Sequence, residues 1–144
     1  MRRVAVAAVA WLVLAVVLRV GVLQPERCAV RTDRSVRAAA TAAIGWFDRN
    51  QQASGRFVYA YRRDTDQILD SRELVRHHGV LLSLYQAAHD GYPDALAIAD
   101  RALAWSRDLL IETGDGARAI GRPGEPAATG ASALFVAALV ERRQ

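Results

Sequence analysis

A group of polar and aromatic side chains in the middle of the chain could act on a carbohydrate. Its members are the predicted catalytic residues Asp64, Asp66, His77 and His78 and the predicted substrate-binding residues Tyr59, Tyr61, Glu73 and Arg76. In glycoside hydrolysis a pair of carboxylates supplies the acid and the base, a role that suits the two aspartates. Either histidine would transfer a proton, and the tyrosine rings would stack on sugar faces.

Structural roles also explain most of these residues. Asp70 and Glu73 fit a capping box at the start of a helix. Asp64 and Asp66 can balance the charges of the two arginines that precede them. Neighbouring positions on a helix point about 100° apart, so at most one of the two adjacent histidines is expected to point inward. The catalytic and the structural interpretations both stay open at this stage.

Other kinds of site find no support in the residue spacing. His77, His78 and His89 lack the three- or four-residue separation that places two metal ligands on one helix face, so no metal site is predicted. The glycines of the segment 112–128 are not followed by the Lys-Ser/Thr pair of a phosphate-binding loop. None of the serines lies in a nucleophile-elbow motif. No cofactor is predicted.

Four helices are predicted to position the polar group, at about 33–50, 71–89, 93–111 and 129–144. Thr32 or Asp33 would cap the first of them. The connections are long, short and long, as in helical hairpins that lie side by side with their long loops on one face. A binding site is expected on that face. In the first long loop, alternating aromatic and small residues at 57–61 predict a short strand or extended arm.

The apolar pattern predicts which helix faces are buried. In the first helix the predicted buried stripe is Val36, Ala40, Ala43 and Phe47, and in the third it is Leu96, Ala99, Leu103 and Leu110. The second helix is apolar around most of its circumference, which is typical of an inner helix covered by neighbours. Trp46 and Trp105 are predicted to belong to the core.

Two segments resemble those of known helical barrels. The segment 46–57, WFDRNQQASGRF, resembles the glutamine, glycine and aromatic repeat of α/α-toroid proteins of the terpenoid cyclase and protein prenyltransferase group. The segment 75–81, VRHHGVL, is similar to inner helices of six-hairpin carbohydrate-active enzymes. The resemblance implies an all-α fold in which four antiparallel helices form helical hairpins of the α/α-toroid type. It covers only the first third of such a barrel, so an active barrel would require assembly, or the chain is a truncated or divergent relative.

The first residues of the chain have the composition of a membrane anchor. An uninterrupted apolar run at 4–18 is followed by Arg19 and a second apolar run at 20–23. About 20 apolar residues cross the ~30 Å hydrocarbon core of a bilayer, and a cleavable signal peptide is the alternative. The predicted organisation is an anchor or signal sequence at 1–24, a juxtamembrane linker at 25–32 and a helical-hairpin domain at 33–144. Because long domains are translocated largely regardless of flanking charge, the domain is expected outside the cytoplasm.

The positive charge of the chain does not indicate nucleic-acid binding. The net charge is +4 and all 19 basic residues are arginine, but from residue 24 onward 16 arginines face 15 acidic residues. A phosphate-binding surface needs basic residues clustered on one face, whereas carboxylates are interleaved here. The single cysteine, Cys28, lacks a lipoprotein-type context and is predicted to be a free thiol near the membrane.

Two functions from different classes fit these observations. The first is a membrane-anchored relative of α/α-toroid proteins that binds or processes an envelope glycan. If the chain is a truncated relative, it could bind the glycan without being an active enzyme. The second is a non-catalytic helical scaffold, tethered to the membrane for protein partners or for self-assembly. No nucleic-acid partner is expected.

Overall fold

The computed structural model describes residues 2–21, 31–69, 73–114 and 116–144. The described residues contain five helices: α1 (Arg2–Gly21), α2 (Asp33–Arg49), α3 (Leu74–His89), α4 (Asp94–Arg107) and α5 (Thr129–Glu141). They also contain four short strands: β1 (Ala60–Arg62), β2 (Gln67–Leu69), β3 (Leu110–Glu112) and β4 (Arg118–Ile120). The chain forms two compact units, Met1–Val36 and Arg37–Gln144. The mostly helical fold that the sequence predicts is therefore confirmed.

Helix α1 is long and apolar enough to cross a membrane. Its 20 residues span about 30 Å at 1.5 Å per residue. The segment Val4–Gly21 has a mean hydropathy of 2.4, and its side chains are exposed. An N-terminal signal sequence can have the same length and composition, so these features are compatible with a membrane anchor and with a signal sequence. Of the predicted linker at 25–32, the structure describes only residues 31 and 32, and Cys28 lies outside the described residues.

Helix α2 begins with a reciprocal cap, as the sequence predicts. The backbone N–H of Ser35 donates to Oγ1 of Thr32 at 3.2 Å, and the N–H of Thr32 donates to Oγ of Ser35 at 3.0 Å. These bonds satisfy amide groups that a helix start leaves without partners. The predicted buried stripe is wrong at two of its four positions, because Val36 is 54% exposed and Ala43 is exposed, whereas Ala40 and Phe47 are half-buried. Only the carboxyl-terminal half, through Ile44, reaches the core.

Helix α3 is the centre of the core and packs against both α4 and α5. Leu81, Leu84 and Tyr85 are at most 2% exposed. The prediction of an inner helix is confirmed for this part of α3, whereas Val75 in the first turn is 49% exposed. The hydroxyl of Tyr85 donates to Asp100, which also accepts from Arg142, so the end of α5 is tied to α4.

The predicted start of α3 needs a correction. The helix begins at Leu74, its N-cap is Glu73, and no side chain makes a capping hydrogen bond. Asp70, the other half of the predicted capping box, lies outside the described residues. The predicted capping role of Glu73 is wrong, because its own backbone occupies the cap position.

Helix α4 buries a face slightly different from the predicted one. Its buried residues are Ala95, Ile98, Ala99, Ala102, Leu103 and Ser106, which follow the three- and four-residue steps of one helix face. Leu96 is 47% exposed, since it lies about 100° from Ala95 around the helix axis. In α5 the buried positions are Ala131, Phe135 and Ala138.

Two β-hairpins replace parts of the predicted loops and of the third helix. Strands β1 and β2 pair antiparallel, with Tyr61 opposite Ile68, so the predicted extended arm has a partner strand. Strands β3 and β4 pair with Ile111 opposite Ala119. Helix α4 therefore ends at Arg107 instead of about residue 111, because residues 110–112 pair with residues 118–120 in a strand ladder.

Candidate functional site

A cavity of about 170 Å³ lies beside the first turns of α3. We call it the aromatic cavity, since most of its wall is aromatic. Its aromatic lining residues are Trp46, Phe47, Phe57, Tyr59 and Trp105. Its charged and polar lining residues are Arg56, Glu73, Arg76 and His77, and Val58 and Val80 complete it. Pockets with an apolar wall and a few polar groups are typical ligand sites.

The rings of the aromatic cavity pack in a continuous series. The ring centroids of Phe47 and Phe57 are 5.7 Å apart, and those of Phe57 and His77 are 5.1 Å apart. His77 continues to Trp105 at 4.4 Å. Aromatic pairs contact favourably at centroid separations of about 4.5–7 Å. The first two separations lie within this range and the third lies at its lower end, so the wall is held by its own packing.

The loop that carries Phe57 into the cavity is fixed to α4 by Gln51. The Nε2 group of Gln51 donates to the carbonyl oxygens of Gly55 and Ile98, each at 3.0 Å, and its Oε1 accepts from Arg101 at 2.8 Å. Gly55 has φ +90°, and a Cβ there would overlap the backbone carbonyl of Arg101. The glutamine and the glycine of the segment 46–57 thus have a structural role, which is to place the aromatic residue that follows them.

His77 is the one histidine that lines the aromatic cavity. It is 6% exposed, and its Nε2 lies 3.4 Å from the carbonyl oxygen of Ala102. Because a carbonyl can only accept, Nε2 carries the proton and Nδ1 is an acceptor. That Nδ1 is buried and has no hydrogen-bond partner in the described part of the chain.

The pKa of His77 is lowered to about 4, mainly by burial and in part by the neighbouring His78, while the bond to Ala102 acts in the opposite direction. Burial disfavours the charged form of a base because water no longer solvates it. His77 is therefore neutral at pH 7 and offers an unused lone pair.

His78 is buried in different surroundings. It is completely buried, its Nδ1 donates to the carbonyl of Leu74 at 2.7 Å, and its ring packs edge-on against Phe135 of α5 at 5.6 Å. Burial also lowers its pKa, and the bond to Leu74 opposes that change. The expectation that only one of the two histidines points inward is wrong, since α3 has neighbours on two sides.

Arg76 and Glu73 carry opposite charges at the cavity but do not pair. The guanidinium carbon of Arg76 lies 4.8 Å from the centroid of the Tyr59 ring, a distance at which a cation is attracted to the ring face. Within the described residues neither side chain makes an ion pair or a hydrogen bond. Both residues are exposed, and both charges are available to a ligand.

A shallow groove adjoins the aromatic cavity. It shares Trp46, Val58 and Tyr59 with the cavity and continues over Tyr61 and Ile68 of the first hairpin. Polar side chains at the end of α2 and after it complete the groove: Arg49, Asn50, Gln51 and Gln52. We call this surface the aromatic groove.

The predicted catalytic aspartates lie on the turn of the first hairpin. Asp64 and Asp66 are exposed and are absent from the lining of the aromatic cavity and of the aromatic groove. The hydroxyl of Tyr61 donates to Oδ1 of Asp66, which raises the pKa of Tyr61. Asp66 therefore orients a tyrosine of the groove.

The residues of the predicted polar group thus lie in three places. Tyr59, Glu73, Arg76 and His77 meet at the aromatic cavity, whereas Tyr61, Asp64 and Asp66 lie on the hairpin and His78 faces α5. The sequence-based site omits Phe47, Phe57 and Arg56 and assigns Trp46 and Trp105 to the core. The alternation of aromatic residues at 57–61 is the signal that could have included Phe57.

The described part of the chain contains no group of three or more histidine, cysteine, aspartate or glutamate side chains that could hold a metal ion. The chemistry that the cavity offers is stacking on aromatic rings and pairing with the two opposite charges of Glu73 and Arg76. Comparisons with protein families, with curated proteins and with solved structures find no match to this chain.

Proposed function

We propose that this chain is a membrane-anchored helical domain of the α/α-toroid type that binds an envelope glycan, with one sugar ring in the aromatic cavity. The observation that carries the proposal is the aromatic wall of a cavity that also has the charged side chains of Glu73 and Arg76 in its lining. The domain is expected outside the cytoplasm, where envelope glycans are found.

The size of the aromatic cavity suits one six-membered ring. An apolar protein cavity of about 150 Å³ accepts benzene, and the volume here is about 170 Å³. The aromatic groove begins at Tyr59 and Trp46, which also line the cavity. A chain of linked rings could therefore leave the cavity along the groove, as an oligosaccharide would.

The polar groups suit a hydroxylated ring better than a hydrocarbon. Glu73 and Arg76 line the cavity and are exposed. Glu73 can accept hydrogen bonds from ligand hydroxyls, and Arg76 can donate to ligand oxygens. A purely apolar ligand would make none of these bonds.

Binding is favoured over cleavage by the position of the carboxylates. Hydrolysis of a glycosidic bond usually requires two carboxylates that flank the bond. Glu73 is the one carboxylate that lines the aromatic cavity among the described residues, and the predicted pair Asp64 and Asp66 is on the hairpin turn.

The full chain in lipid nanodiscs provides the direct test. Trp46 and Trp105 line the cavity, so a Trp11→Phe variant, which removes the tryptophan of α1, makes fluorescence a reporter of the site. We expect a panel of envelope oligosaccharides to change the fluorescence in a saturable manner. Tyr59→Ala should weaken binding, whereas Tyr92→Ala, at another half-buried tyrosine outside the cavity, should not. No response to any glycan, or equal effects of the two variants, would refute the proposal.

The side of the membrane has its own test. Alkaline phosphatase and fluorescent-protein fusions at Gln144 report opposite sides of a bacterial inner membrane. Phosphatase activity without fluorescence is expected, and the reverse pattern would place the domain in the cytoplasm.

A protein scaffold is the second candidate, and the outer face of α5 favours it. Val136 and Val140 are 59% and 55% exposed, and Ala133, on the same face, is also exposed. Crosslinking in membranes from Val136, placed as a photoreactive residue, should capture a partner or a second copy if this function holds. Without any crosslinked product, the scaffold loses its support.

A further inference from the structure

We propose that the sugar ring bound in the aromatic cavity carries a carboxylate, which pairs with Arg76. This inference rests on the proposed function and specifies the class of ligand. It is drawn from the charges around the cavity and the groove, which a neutral glycan would leave unused.

The two surfaces carry more positive than negative charge. Arg76 lines the aromatic cavity and Arg49 lines the aromatic groove, while Glu73 is the one acidic residue in either lining among the described residues. Arg56 also lines the cavity but already has a partner. Clefts lined by one sign of charge concentrate ligands of the opposite sign. An anionic chain is therefore a better complement than a neutral one.

Arg76 is prepared to bind a planar anion. Its guanidinium lies over the Tyr59 ring, and stacking on an aromatic face leaves the edge of the guanidinium, with its N–H donors, free to contact a ligand. It has no ion-pair partner within the described residues. A carboxylate matches the fork of an arginine with two parallel hydrogen bonds.

The beginning of α3 adds to the attraction for an anion. The helix has 16 residues, and the side chain of its N-cap residue Glu73 makes no capping hydrogen bond, so this side chain leaves the amide groups at the positive end of the helix dipole to other partners. Glu73, Arg76 and His77 all lie in or just before this first turn.

The charge of Glu73 predicts the direction in which the affinity for an acidic glycan changes. As a carboxylate at the same cavity, it repels an anionic ligand while it accepts bonds from ligand hydroxyls. Replacing it by glutamine removes the charge but keeps the shape. The affinity for an acidic glycan should then rise, and the affinity for a neutral one should not.

The test compares uronate-containing oligosaccharides with the same oligosaccharides after chemical reduction of each carboxylate to a primary alcohol. Both series are titrated against the full chain in nanodiscs, with the Trp11→Phe background. We expect reduction to weaken binding about tenfold, since a hydrogen-bonded charge pair contributes about 1.4 kcal/mol or more. Arg76→Gln should abolish this preference, Arg76→Lys should restore only part of it, and Glu73→Gln should enlarge it.

Arg118→Gln is the matched control, because Arg118 is an exposed arginine of β4 and its replacement changes the net charge equally. If both series bind equally well, or if Arg118→Gln acts like Arg76→Gln, the carboxylate inference is overturned and glycan binding stands. If neither series binds, both the carboxylate inference and the proposed function are wrong. If inorganic phosphate competes with the acidic glycan and glucuronate does not, the anion is a phosphoryl group and the inference is wrong.

Discussion

The first turns of α3 and the turn between β1 and β2 both contain titratable side chains that could take part in catalysis, but these side chains differ in exposure. At α3, His77 is almost fully buried, its ring packs between Phe57 and Trp105, and one ring nitrogen lacks a partner. At the hairpin, Asp64 and Asp66 are in solvent, and Asp66 accepts a hydrogen bond from Tyr61.

The difference shows how burial changes the chemistry of a titratable side chain. Burial lowers the pKa of His77 to about 4, so that its ring stays neutral well into the acid range, and its Nδ1 has no hydrogen-bond partner among the described residues. At the hairpin, water satisfies the carboxylates, and their main structural effect is to orient Tyr61. The following predictions test this contrast, from the largest expected effect to the smallest.

The largest effect should come from the loop that forms one wall of the aromatic cavity. In Gly55→Ala the new Cβ would overlap the Arg101 carbonyl oxygen and lie 2.8 Å from its carbon. Together with the positive φ, this should lower the free energy of unfolding by about 4 kcal/mol. Gly91→Ala is the control, because Gly91 has φ +92° but no atom within 4 Å of an added Cβ. It should cost about 1 kcal/mol, as measured by circular dichroism during thermal and urea unfolding, and equal losses would contradict the predicted clash.

Acid should destabilise the domain through the buried histidines. The pKa of His77 falls from 6.5 in the unfolded chain to about 4 in the folded one, so between these values the unfolded chain binds more protons. Stability is then complete above pH 6.5 and decreases as the pH falls towards 4. The loss from His77 should approach about 3 kcal/mol, and His78, whose pKa is also lowered, should add to it.

The variant His77→Phe should reduce this pH dependence while it retains the aromatic packing. Urea unfolding at a series of pH values measures both the slope and its change. If the variant and the parent lose stability in parallel from pH 6.5 to pH 4, the buried, neutral state of His77 is disproved.

The two adjacent histidines should differ in ligand binding. His77→Phe changes the shape of a ring that lines the aromatic cavity and should weaken glycan binding about tenfold. His78→Phe changes a histidine that packs on Phe135 and should leave the affinity unchanged, as should Asp64→Asn on the hairpin. Fluorescence titration in nanodiscs separates these cases, and a larger loss in either control than in His77→Phe would move the site away from the cavity.

The smallest effect concerns the hairpin alone. In Asp66→Asn the acceptor for the Tyr61 hydroxyl loses its charge, so the raised pKa of Tyr61 should return towards the ordinary value of 10.0. Absorbance of the phenolate during an alkaline titration measures this pKa, with Tyr61→Phe to identify the signal. Asp64→Asn should leave it unchanged, and an unchanged pKa in Asp66→Asn would show that the bond does not persist in solution.

Much of the secondary structure follows from local sequence. The sequence places the four predicted helices of the segment 33–144 within a few residues of their observed positions. It does so through the three- and four-residue apolar spacing and the Thr32 cap. The end of α4 was beyond local reasoning, since residues 110–112 fit a helix by their apolar pattern and enter a strand only because residues 118–120 pair with them. The predicted burial of Leu96 is wrong for a related reason. The apolar pattern of α4 does not show which of two overlapping stripes packs against α3.

For the candidate site, residue types determined what chemistry was possible and the packing determined where. From the sequence alone came the apolar span of α1, the helical rhythm and the set of histidine, arginine, tyrosine and acidic side chains. Only the tertiary structure separated His77 from His78, placed Trp46 and Trp105 at a cavity, and left Asp64 and Asp66 outside it. The physical reason is that burial and hydrogen bonding at a site depend on residues far apart in the chain, such as Phe57, His77 and Trp105, whose contact no local spacing encodes.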